Sequence, residues 1–496
     1  MNRVYDVIVV GGGGSGLAAA ARCAELGLSV VVLEKQSKPG GTTGIAVGSF
    51  TANQSTYQQR DGVKDSLDDH AQDASKFAPS SIERKNNDHL RRYFLSESAR
   101  TLDWLNQLGL VFHGPSPEPP NRVPRMHNVV PNAKSYIAAL HSRLIQKGGT
   151  LLCYTSVTQL VKEEDRVMGV VAENDQGSQT YRARLGVVLA AGDYANSHSM
   201  IERFKGSKFA AIDGINPNAK GDGHRLAENI GANLLNMDIT YGPELRFIPP
   251  ATRRDHASQL LPASGWIAQI AGKLLPYVPK AWIAAYIKRL LVTWQHPENS
   301  LFEQGAILIN RKGERFCEEV QWPEREIAVA QQPRKDAFIL LDERLIQQFG
   351  TWPHFISTAP EIAYAYVEDY LRLRPDVAVK ADSIQSLGSK KDIPSSALQQ
   401  TVNQYNQDRS AKRQSILEGN EWVLLGPVRA YFTTTEGGAA IDRDLRVLDT
   451  QNRPIKGLYA IGQNGLGGQI LWGHGLHIAW AITSGRLVAE GLAKQY

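Results

Sequence analysis

The sequence has 496 residues, more than one hydrophobic core usually supports, so we expect two domains. Lys and Arg number 55 against 50 Asp and Glu, and no basic block interrupts the chain, which argues against nucleic acid as a partner. The three cysteines lack paired or metal-ligand spacing, so the composition favours a reducing, cytoplasmic compartment and predicts no metal site.

The N-terminal segment has the pattern of a dinucleotide-binding turn. An apolar strand over residues 5–10 is followed by a glycine-rich turn and an alanine-rich helix. We expect no cleaved secretory signal before this strand. In such a turn Gly11 permits the tight bend, Gly13 lets the backbone approach a pyrophosphate, and Gly16 lets the helix pack on the strand. The free N–H groups at the helix N-terminus then favour an anion.

A second predicted strand, residues 28–33, ends at an acidic residue. Glu34 lies where the pattern places the acceptor for an adenosine ribose hydroxyl, and an acid there disfavours a 2′-phosphate. Residues 40–44 form a glycine–threonine turn that we expect to bring backbone donors near the cofactor. Strand, turn, helix, strand and acid in this order predict a Rossmann-like α/β domain.

The middle of the chain alternates helices and strands of this domain. Residues 125–127 follow a proline-rich loop, and we interpret them as a solvated segment, with reach into an active site as the alternative. The predicted elements in chain order are a helical region over 65–110, the loop 114–124, a helix over 133–147, strands over 150–154, 166–171 and 185–193, a strand over 457–462 and a helix over 475–494.

Residues 241–419 lose this alternation, so we predict a cap domain inserted between residues 1–240 and 420–496, which form the nucleotide-binding domain. Within the cap, residues 261–292 are apolar with interspersed Lys and Arg, and prolines break the stretch before it reaches the roughly 20 residues of a membrane-spanning helix. Basic residues beside Trp and Leu are typical of an interfacial helix, so we expect either peripheral membrane contact or a pair of core-packing helices.

Together these segments resemble the FAD-dependent family of soluble fumarate reductases, succinate dehydrogenase flavoproteins and 3-ketosteroid dehydrogenases. The resemblance covers most of the chain and depends on residues 11–16 with Glu34, 40–43, 189–192, 310–316, 435–438 and 457–462. It implies a glutathione-reductase-type FAD-binding domain with an inserted α+β cap. It also implies noncovalent FAD, because residues 44–48 contain no His of the kind that tethers flavin in some relatives.

The resemblance implies a set of cofactor contacts. Gln463, or its neighbour Asn464, is expected at the ribitol, and the backbone N–H groups of Leu476 and His477 are expected at the flavin pyrimidine carbonyl, where a helix N-terminus favours the anionic reduced flavin. The full set is Gly11, Gly13, Gly14, Ser15, Gly16, Glu34, Lys35, Gly41, Thr42, Thr43, Gly192, Gly462, Gln463, Leu476 and His477.

The family reaction moves a hydride between the flavin and the carbon β to a carbonyl, while an acid or base exchanges a proton at the α carbon. The resemblance matches Gly475 to the backbone donor for the keto oxygen, and a glycine needed only to start the helix is the alternative. Candidates for proton transfer are His474, Tyr431 and Arg325, followed by His477, Tyr241 and Arg429, each of which also has a purely structural interpretation.

Departures from the family pattern bear on the substrate. The cap arginine of the fumarate reductases falls on Trp322-Pro323, their carboxylate-binding arginine falls on Trp472, and the steroid-enzyme tyrosine falls on Leu471. These residues predict a hydrophobic pocket, and we expect a dehydrogenase or reductase acting on a C–C bond next to the carbonyl of a bulky apolar cyclic ketone, with an unidentified electron acceptor or donor. Two alternatives stay open: a fumarate-reductase-like enzyme on a small unsaturated carboxylate, and a flavin-binding electron-transfer or interaction subunit.

Overall fold

The computed structural model describes residues 3–249, 279–294, 296–359 and 363–496. Its strands are β1 Arg3–Val10, β2 Val30–Leu33, β3 Ser49–Thr51, β4 Val111–Ser116, β5 Met126–Val130, β6 Thr150–Leu152, β7 Ser156–Glu163, β8 Arg166–Asn174, β9 Gly177–Leu189, β10 Asp213–Gly214, β11 Leu234–Leu235, β12 Thr240–Tyr241, β13 Glu244–Phe247, β14 Ile307–Ile309, β15 Ala337–Leu341, β16 Ser357–Ala359, β17 Ala363–Ala365, β18 Ala378–Ala381, β19 Trp422–Phe432, β20 Thr434–Thr435, β21 Gly438–Ala439, β22 Arg446–Leu448 and β23 Pro454–Ala460.

The described residues also form sixteen α-helices. They are α1 Gly14–Glu25, α2 Thr56–Arg60, α3 Leu67–Ala74, α4 Ser80–Glu83, α5 Asp88–Gln107, α6 Lys134–Gln146, α7 His198–Lys205, α8 Asp222–Glu228, α9 Lys280–Trp294, α10 Asn299–Glu303, α11 Glu324–Ala330, α12 Glu343–Gln348, α13 Val367–Leu373, α14 Ile384–Lys390, α15 Ser395–Ala411 and α16 Leu476–Ala493. The predicted helices over 133–147 and 475–494 are confirmed as α6 and α16 to within a residue at each end.

The predicted nucleotide-binding sheet is the largest sheet. Its strands run in the order β22-β23-β8-β9-β1-β2-β6, with β7 paired to β8, and β1 is parallel to both β2 and β9. Val7, Ile8 and Val9 are fully buried at this parallel centre, which explains their continuous apolar run. Helix α16 packs closely on α1, where a Cβ on Gly485 would lie 2.6 Å from the Ser15 carbonyl oxygen. The predicted α/β fold is confirmed.

The cap is built on a second sheet with β19 at its centre. The strand order is β10-β19-β15-β14, and β13 and β18 also pair with β19. The cap core includes Tyr194 and Phe432, which lie outside the predicted limits of 241–419. The division of the chain at 240 and 420 stays a prediction, and β19 shows that chain on both sides of the predicted insertion builds the cap sheet.

Where β13 pairs with β19, one face of the cap sheet is apolar and the other is charged. On β13, Leu245 and Phe247 are buried in the cap core, whereas Glu244 and Arg246 point the other way. The antiparallel register pairs Glu244 with Tyr431 and Arg246 with Arg429, so their side chains share the charged face.

The described half of the apolar stretch 261–292 belongs to α9. Leu291 and Val292 are buried against the cap, whereas Trp282 is 73% exposed. The rest of the stretch lies outside the described residues, so peripheral membrane contact here stays a prediction. No helix among the described residues has both the length and the apolar character needed to cross a bilayer.

The interpretation of residues 125–127 as a solvated segment is wrong. Arg125 directly precedes β5 and His127 lies in it, and both are fully buried. Arg125 donates to Asp65 at 2.7 and 2.8 Å and to Asp73 at 2.7 Å, and both carboxylates are fully buried as well. This is a structural ion triad that fixes the loop after α2 against β5, and its guanidinium is not available to a substrate.

Candidate active site

The glycine-rich turn after β1 is closely packed at Gly11 and Gly16 and open at Gly13. Gly11 has a φ of +106°, and a Cβ there would lie 2.5 Å from the Ala190 carbonyl oxygen; a Cβ on Gly16 would lie 2.0 Å from the Gly11 carbonyl oxygen. A Cβ on Gly13, by contrast, would meet no described protein atom closer than 3.8 Å. The turn is therefore rigidly packed on its inner side and open at Gly13, as close approach of a pyrophosphate requires.

Glu34 is held in place at the end of β2. One carboxylate oxygen accepts the N–H of Gly12 at 2.6 Å and the other accepts the N–H of Gln36 at 2.8 Å. Each oxygen keeps further acceptor capacity, so the carboxylate is oriented and still able to bind a ribose hydroxyl. Lys35 points to Asp222, with Nζ 2.5 Å from Oδ2, and so ties this edge to α8.

The remaining predicted cofactor residues border the same edge of the sheet. Thr42 accepts a hydrogen bond from Asn216 at 2.9 Å, and the Gln463 amide donates to Thr434 Oγ1 at 2.7 Å. Three pairs of these residues are in contact: Gly14 with Thr43, Gly41 with Gly13, and Gly462 with Ser15. Gly192 has a φ of +81°, and the position of its missing Cβ is open space. These residues meet at the carboxyl ends of parallel strands, where doubly wound folds bind their ligands.

We expect Gly13→Ala to weaken FAD binding about 10- to 100-fold, because a methyl group at the open side of the turn displaces a phosphate from charge-assisted hydrogen bonds. The fold is expected to stay intact, since the new Cβ meets ordinary contacts only. Flavin retention after gel filtration and a dissociation constant from fluorescence measure the change. Gly491→Ala, at a position in α16 with nothing within 4 Å, is the matched control, and equal FAD affinity in both variants contradicts the assignment.

Helix α16 begins beside this edge with its N-terminus open. Gly475 has a φ of +86°, and a Cβ there would lie 2.7 Å from Thr51 Oγ1, so both the conformation and the packing demand glycine. Thr51 donates to the His474 carbonyl oxygen at 2.7 Å and fixes the approach to the helix. The N–H groups of Leu476 and His477 lie in the first turn and lack intrahelical acceptors, so they are donors for a bound group.

His474 forms a hydrogen-bonded pair with Glu118. Its Nδ1 donates to Glu118 Oε1 at 2.6 Å, and its backbone N–H donates to the same oxygen at 2.8 Å. Glu118 is buried, whereas the His474 side chain is 65% exposed, so Nε2 is left without a described partner. Glu244 and Arg246 of the cap sheet lie within electrostatic range of the ring, and we call the space between the start of α16 and these cap residues the cleft. The hydrogen bond that His474 donates to Glu118 raises the pKa of His474 above its ordinary value and outweighs the opposing effect of desolvation.

A second pair lies one turn further along the helix. His477 Nε2 lies 2.8 Å from Oε1 of the fully buried Glu436, whose other oxygen accepts the Leu471 N–H at 3.1 Å. The ring of Tyr241 stands between the two domains, 5.2 Å from Trp472 and 6.4 Å from His477 between ring centres. Burial raises the pKa of Tyr241, so its hydroxyl keeps its proton, and no described residue hydrogen-bonds that hydroxyl.

The charged face of the cap sheet forms the opposite wall. Glu244 Oε1 accepts hydrogen bonds from Arg246 at 2.5 and 3.0 Å and from Thr433 at 2.5 Å. Its Oε2 lies 3.5 Å from Nδ1 of His296. Burial raises the pKa of Glu244, but the positive charge of Arg246 and its other partners lower it to about 2. Burial lowers the pKa of His296, which favours the neutral imidazole.

Two of the predicted catalytic residues lie away from His474. Arg325 is buried in the cap, where it donates to Glu326 at 2.5 and 2.9 Å and to Asn299 at 2.9 Å. Tyr431 lies on the charged face of the cap sheet, and no described contact joins it to His474 or Gly475. Of the predicted catalytic residues, only His474 and Gly475 therefore lie at the start of α16.

The predicted hydrophobic pocket is only partly present. Tyr241 and Trp472 give one aromatic wall, but Leu471 is fully buried in the core and Trp322 donates its indole N–H to the Pro243 carbonyl oxygen at 2.9 Å. The opposite wall is charged. Two acidic residues of the site were not predicted from the sequence. Glu118 lies in a proline-rich loop, where no pattern indicates its role. Glu244 alternates with apolar residues along β13, and this alternation indicates a strand with one polar face.

Comparison with known proteins identifies the architecture. A family model described as FAD binding domain matches residues 6–264 and 276–469. The chain belongs to the FAD binding domain family. The predicted membership, the FAD cofactor and the oxidoreductase class are thereby confirmed, and the glycine cradle around Gly13 and the oriented Glu34 fit that cofactor.

Relatives of this FAD binding domain protein are reductases of several kinds. It is 25% identical to NADH:fumarate oxidoreductase of Klebsiella pneumoniae, over 99% of this chain but only 48% of that protein. It is 27% identical to urocanate reductase of Eggerthella lenta, over 92% of this chain and 69% of that protein. The chain thus spans about half the length of the first of these relatives.

Solved structures show the same fold. An open conformation of a flavocytochrome c3 fumarate reductase superposes with a TM-score of 0.74 at 23% identity, covering 99% of this FAD binding domain protein and 78% of that chain. The 3-ketosteroid Δ1-dehydrogenase from Sterolibacterium denitrificans superposes with a TM-score of 0.66 at 20% identity, covering 100% of both chains. At these identities the likeness concerns the fold alone.

Proposed function

We propose that this protein is an FAD-dependent oxidoreductase that acts on a C–C bond α,β to a carbonyl, with His474 as its proton donor or acceptor. The observation that carries the proposal is the His474–Glu118 pair at the open N-terminus of α16. Bound, noncovalent FAD supplies the hydride acceptor or donor for such a reaction.

His474 has the geometry and the charge of a general acid. Glu118 holds Nδ1, which directs the other ring nitrogen into the cleft. The raised pKa extends the range of pH over which the ring carries the proton that it donates. For reduction of the double bond, Nε2 gives a proton to the α carbon, and in the opposite direction the neutral ring accepts it.

The carbonyl oxygen of the substrate needs donors that are already oriented. The N–H of Gly475, at the start of α16, offers a fixed dipole at a helix N-terminus, where developing negative charge on an oxygen is favoured. The Tyr241 hydroxyl is a further donor on the same side of the cleft. These groups polarise the carbonyl and make the carbon β to it the acceptor of hydride.

The charges of the cleft support a neutral substrate. Arg246 is paired with Glu244, so this guanidinium is not a ready clamp for a carboxylate. Tyr241 and Trp472 offer flat apolar surface for a ring. The preferred substrate is therefore a cyclic ketone or enone, and the electron donor or acceptor is a separate partner.

A second candidate is the reduction of a small unsaturated carboxylate. Arg429 lies beside Arg246 on the charged face, and its Nε is buried without a hydrogen-bond partner among the described residues. Such a donor suits a carboxylate oxygen. The fumarate reductases among the relatives support the same candidate.

An anaerobic experiment separates these candidates. Purified holoprotein is photoreduced, and flavin reoxidation is followed by stopped-flow absorbance after addition of cyclohexenone, a 3-ketosteroid enone or fumarate. Reoxidation by the ketones supports the proposal, and reoxidation by fumarate alone supports the second candidate. Inertness toward all three contradicts both and favours a flavin-binding subunit. Release of free flavin by acid precipitation is the expected result for noncovalent attachment.

A further inference from the structure

The carboxylate of Glu244 has one saturated oxygen and one with spare capacity. Oε1 carries the hydrogen bonds from Arg246 and Thr433. Oε2 has only the 3.5 Å contact with His296 Nδ1 among the described residues, and that nitrogen makes no hydrogen bond. The Glu244 side chain is 21% exposed, so the group is held firmly by three bonds and still reachable from the cleft.

Glu244 faces the same cleft as His474. The Thr433 N–H donates to the Tyr241 carbonyl oxygen at 2.9 Å, and the Tyr241 ring packs edge-on against Trp472, two residues before His474. The sequence of contacts from Glu244 through Thr433 and Tyr241 to Trp472 therefore joins the cap wall to the start of α16. A substrate with its carbonyl at α16 presents its far end to Glu244.

The carboxylate is an anion at every pH at which the enzyme is expected to work, because its pKa lies at about 2. An anion of fixed orientation accepts hydrogen bonds and repels like charge, and a misplaced like charge at such a contact is strongly disfavoured. Arg246 does not reverse this preference, because it is already engaged with the same carboxylate.

We propose that Glu244 is a specificity residue whose Oε2 accepts a hydrogen bond from a neutral donor, a hydroxyl group, at the end of the substrate remote from the reacting carbonyl. The same oxygen excludes substrates with a carboxylate at that end. Selectivity thus comes from an attractive contact with one group and a repulsive contact with the other. The assignment of the far end depends on the proposed function, which places the carbonyl at α16.

Binding of two matched ligands tests this site without requiring turnover. Para-hydroxybenzylideneacetone and para-carboxybenzylideneacetone share the enone and differ only in the remote group. Isothermal calorimetry on the oxidised holoprotein gives both dissociation constants. We expect the hydroxyl compound to bind about 10-fold or more tightly, and Glu244→Gln to reduce that preference at least about 10-fold by admitting the carboxylate.

Two further variants serve as controls for the role of the Glu244 carboxylate. Glu244→Asp keeps the charge but withdraws the acceptor, so it is expected to lose affinity for the hydroxyl compound and still reject the carboxylate. Glu324→Gln removes an exposed cap carboxylate of the same sign and is expected to preserve the wild-type ratio. Flavin content and circular dichroism report the fold of each variant.

The outcomes separate the specificity site from the reaction. A wild-type ratio near one, absence of binding by both ligands, or an unchanged ratio in Glu244→Gln overturns the role of Glu244. The expected ratios together with no flavin reoxidation by either enone support the binding site and overturn the proposed reaction instead.

Discussion

Replacing His474 by Gln is expected to lower the rate of enone reduction by about 10²- to 10⁴-fold, the usual contribution of a positioned proton donor. Gln keeps the side chain polar and of similar size, so FAD remains bound and the visible spectrum is unchanged. The rate constant for reoxidation of the photoreduced flavin, measured by stopped-flow absorbance, reports the effect. A rate within threefold of wild type removes His474 from the reaction.

Two further variants test whether the rate depends on the protonation of His474. Glu118→Gln removes the group that raises the pKa of His474, so the fall in reductive rate with rising pH is expected at lower pH than in wild type. The shift is toward lower pH because reduction requires the protonated ring, and a ring with a lower pKa loses its proton at a lower pH. His89→Gln, on the exposed side of α5, is the matched control and is expected to retain the wild-type profile.

Replacing Arg125 by Ala is expected to lower the free energy of unfolding by about 3–5 kcal/mol, the cost of leaving the buried Asp65 carboxylate without its counter-charge. Asp65 and Asp73 are both fully buried beside it. Urea unfolding followed by circular dichroism measures the change. Arg92→Ala, which breaks exposed ion pairs with Asp68 and Asp88, is the control and is expected to cost less than about 1 kcal/mol.

The same triad makes stability depend on acid. Burial raises the pKa of Asp65, but the hydrogen bonds from Arg125 and Gln58 lower it below the ordinary value. Burial also raises the pKa of Asp73, but the hydrogen bonds from the Arg122 backbone N–H and from the cationic side chains around Asp73 lower it below the ordinary value. A carboxylate with a lowered pKa stabilises the fold above its unfolded pKa, near 3.8, and this stability is lost as the pH falls through the folded pKa.

Wild type is therefore expected to lose unfolding free energy as the pH falls below about 4, the ordinary range of an aspartate. Arg125→Ala is expected to show a smaller loss over the same interval. Identical acid profiles for the two proteins contradict the role of the triad, whatever the stability difference at neutral pH.

Parts of this protein that depend on neighbouring residues in sequence are readable from the sequence. The glycine turn, Glu34 at the end of a strand and the start of α16 at Gly475 follow from backbone sterics and short-range periodicity. The same reasoning misjudged Arg125, because a charged residue after a proline-rich loop is exposed unless a distant partner neutralises it. Here the partners are Asp65 and Asp73, 60 and 52 positions away.

The sequence by itself determined the cofactor-binding fold, because the glycines of the turn and the apolar strands follow from backbone sterics and short-range periodicity. Only the tertiary structure decided which groups surround the reacting centre. Glu118 meets His474 across 356 positions, and Glu244 meets Thr433 across 189. Such pairs form because burial of the two cores brings remote segments together and each buried charge must then find a partner, a requirement that local pattern does not encode.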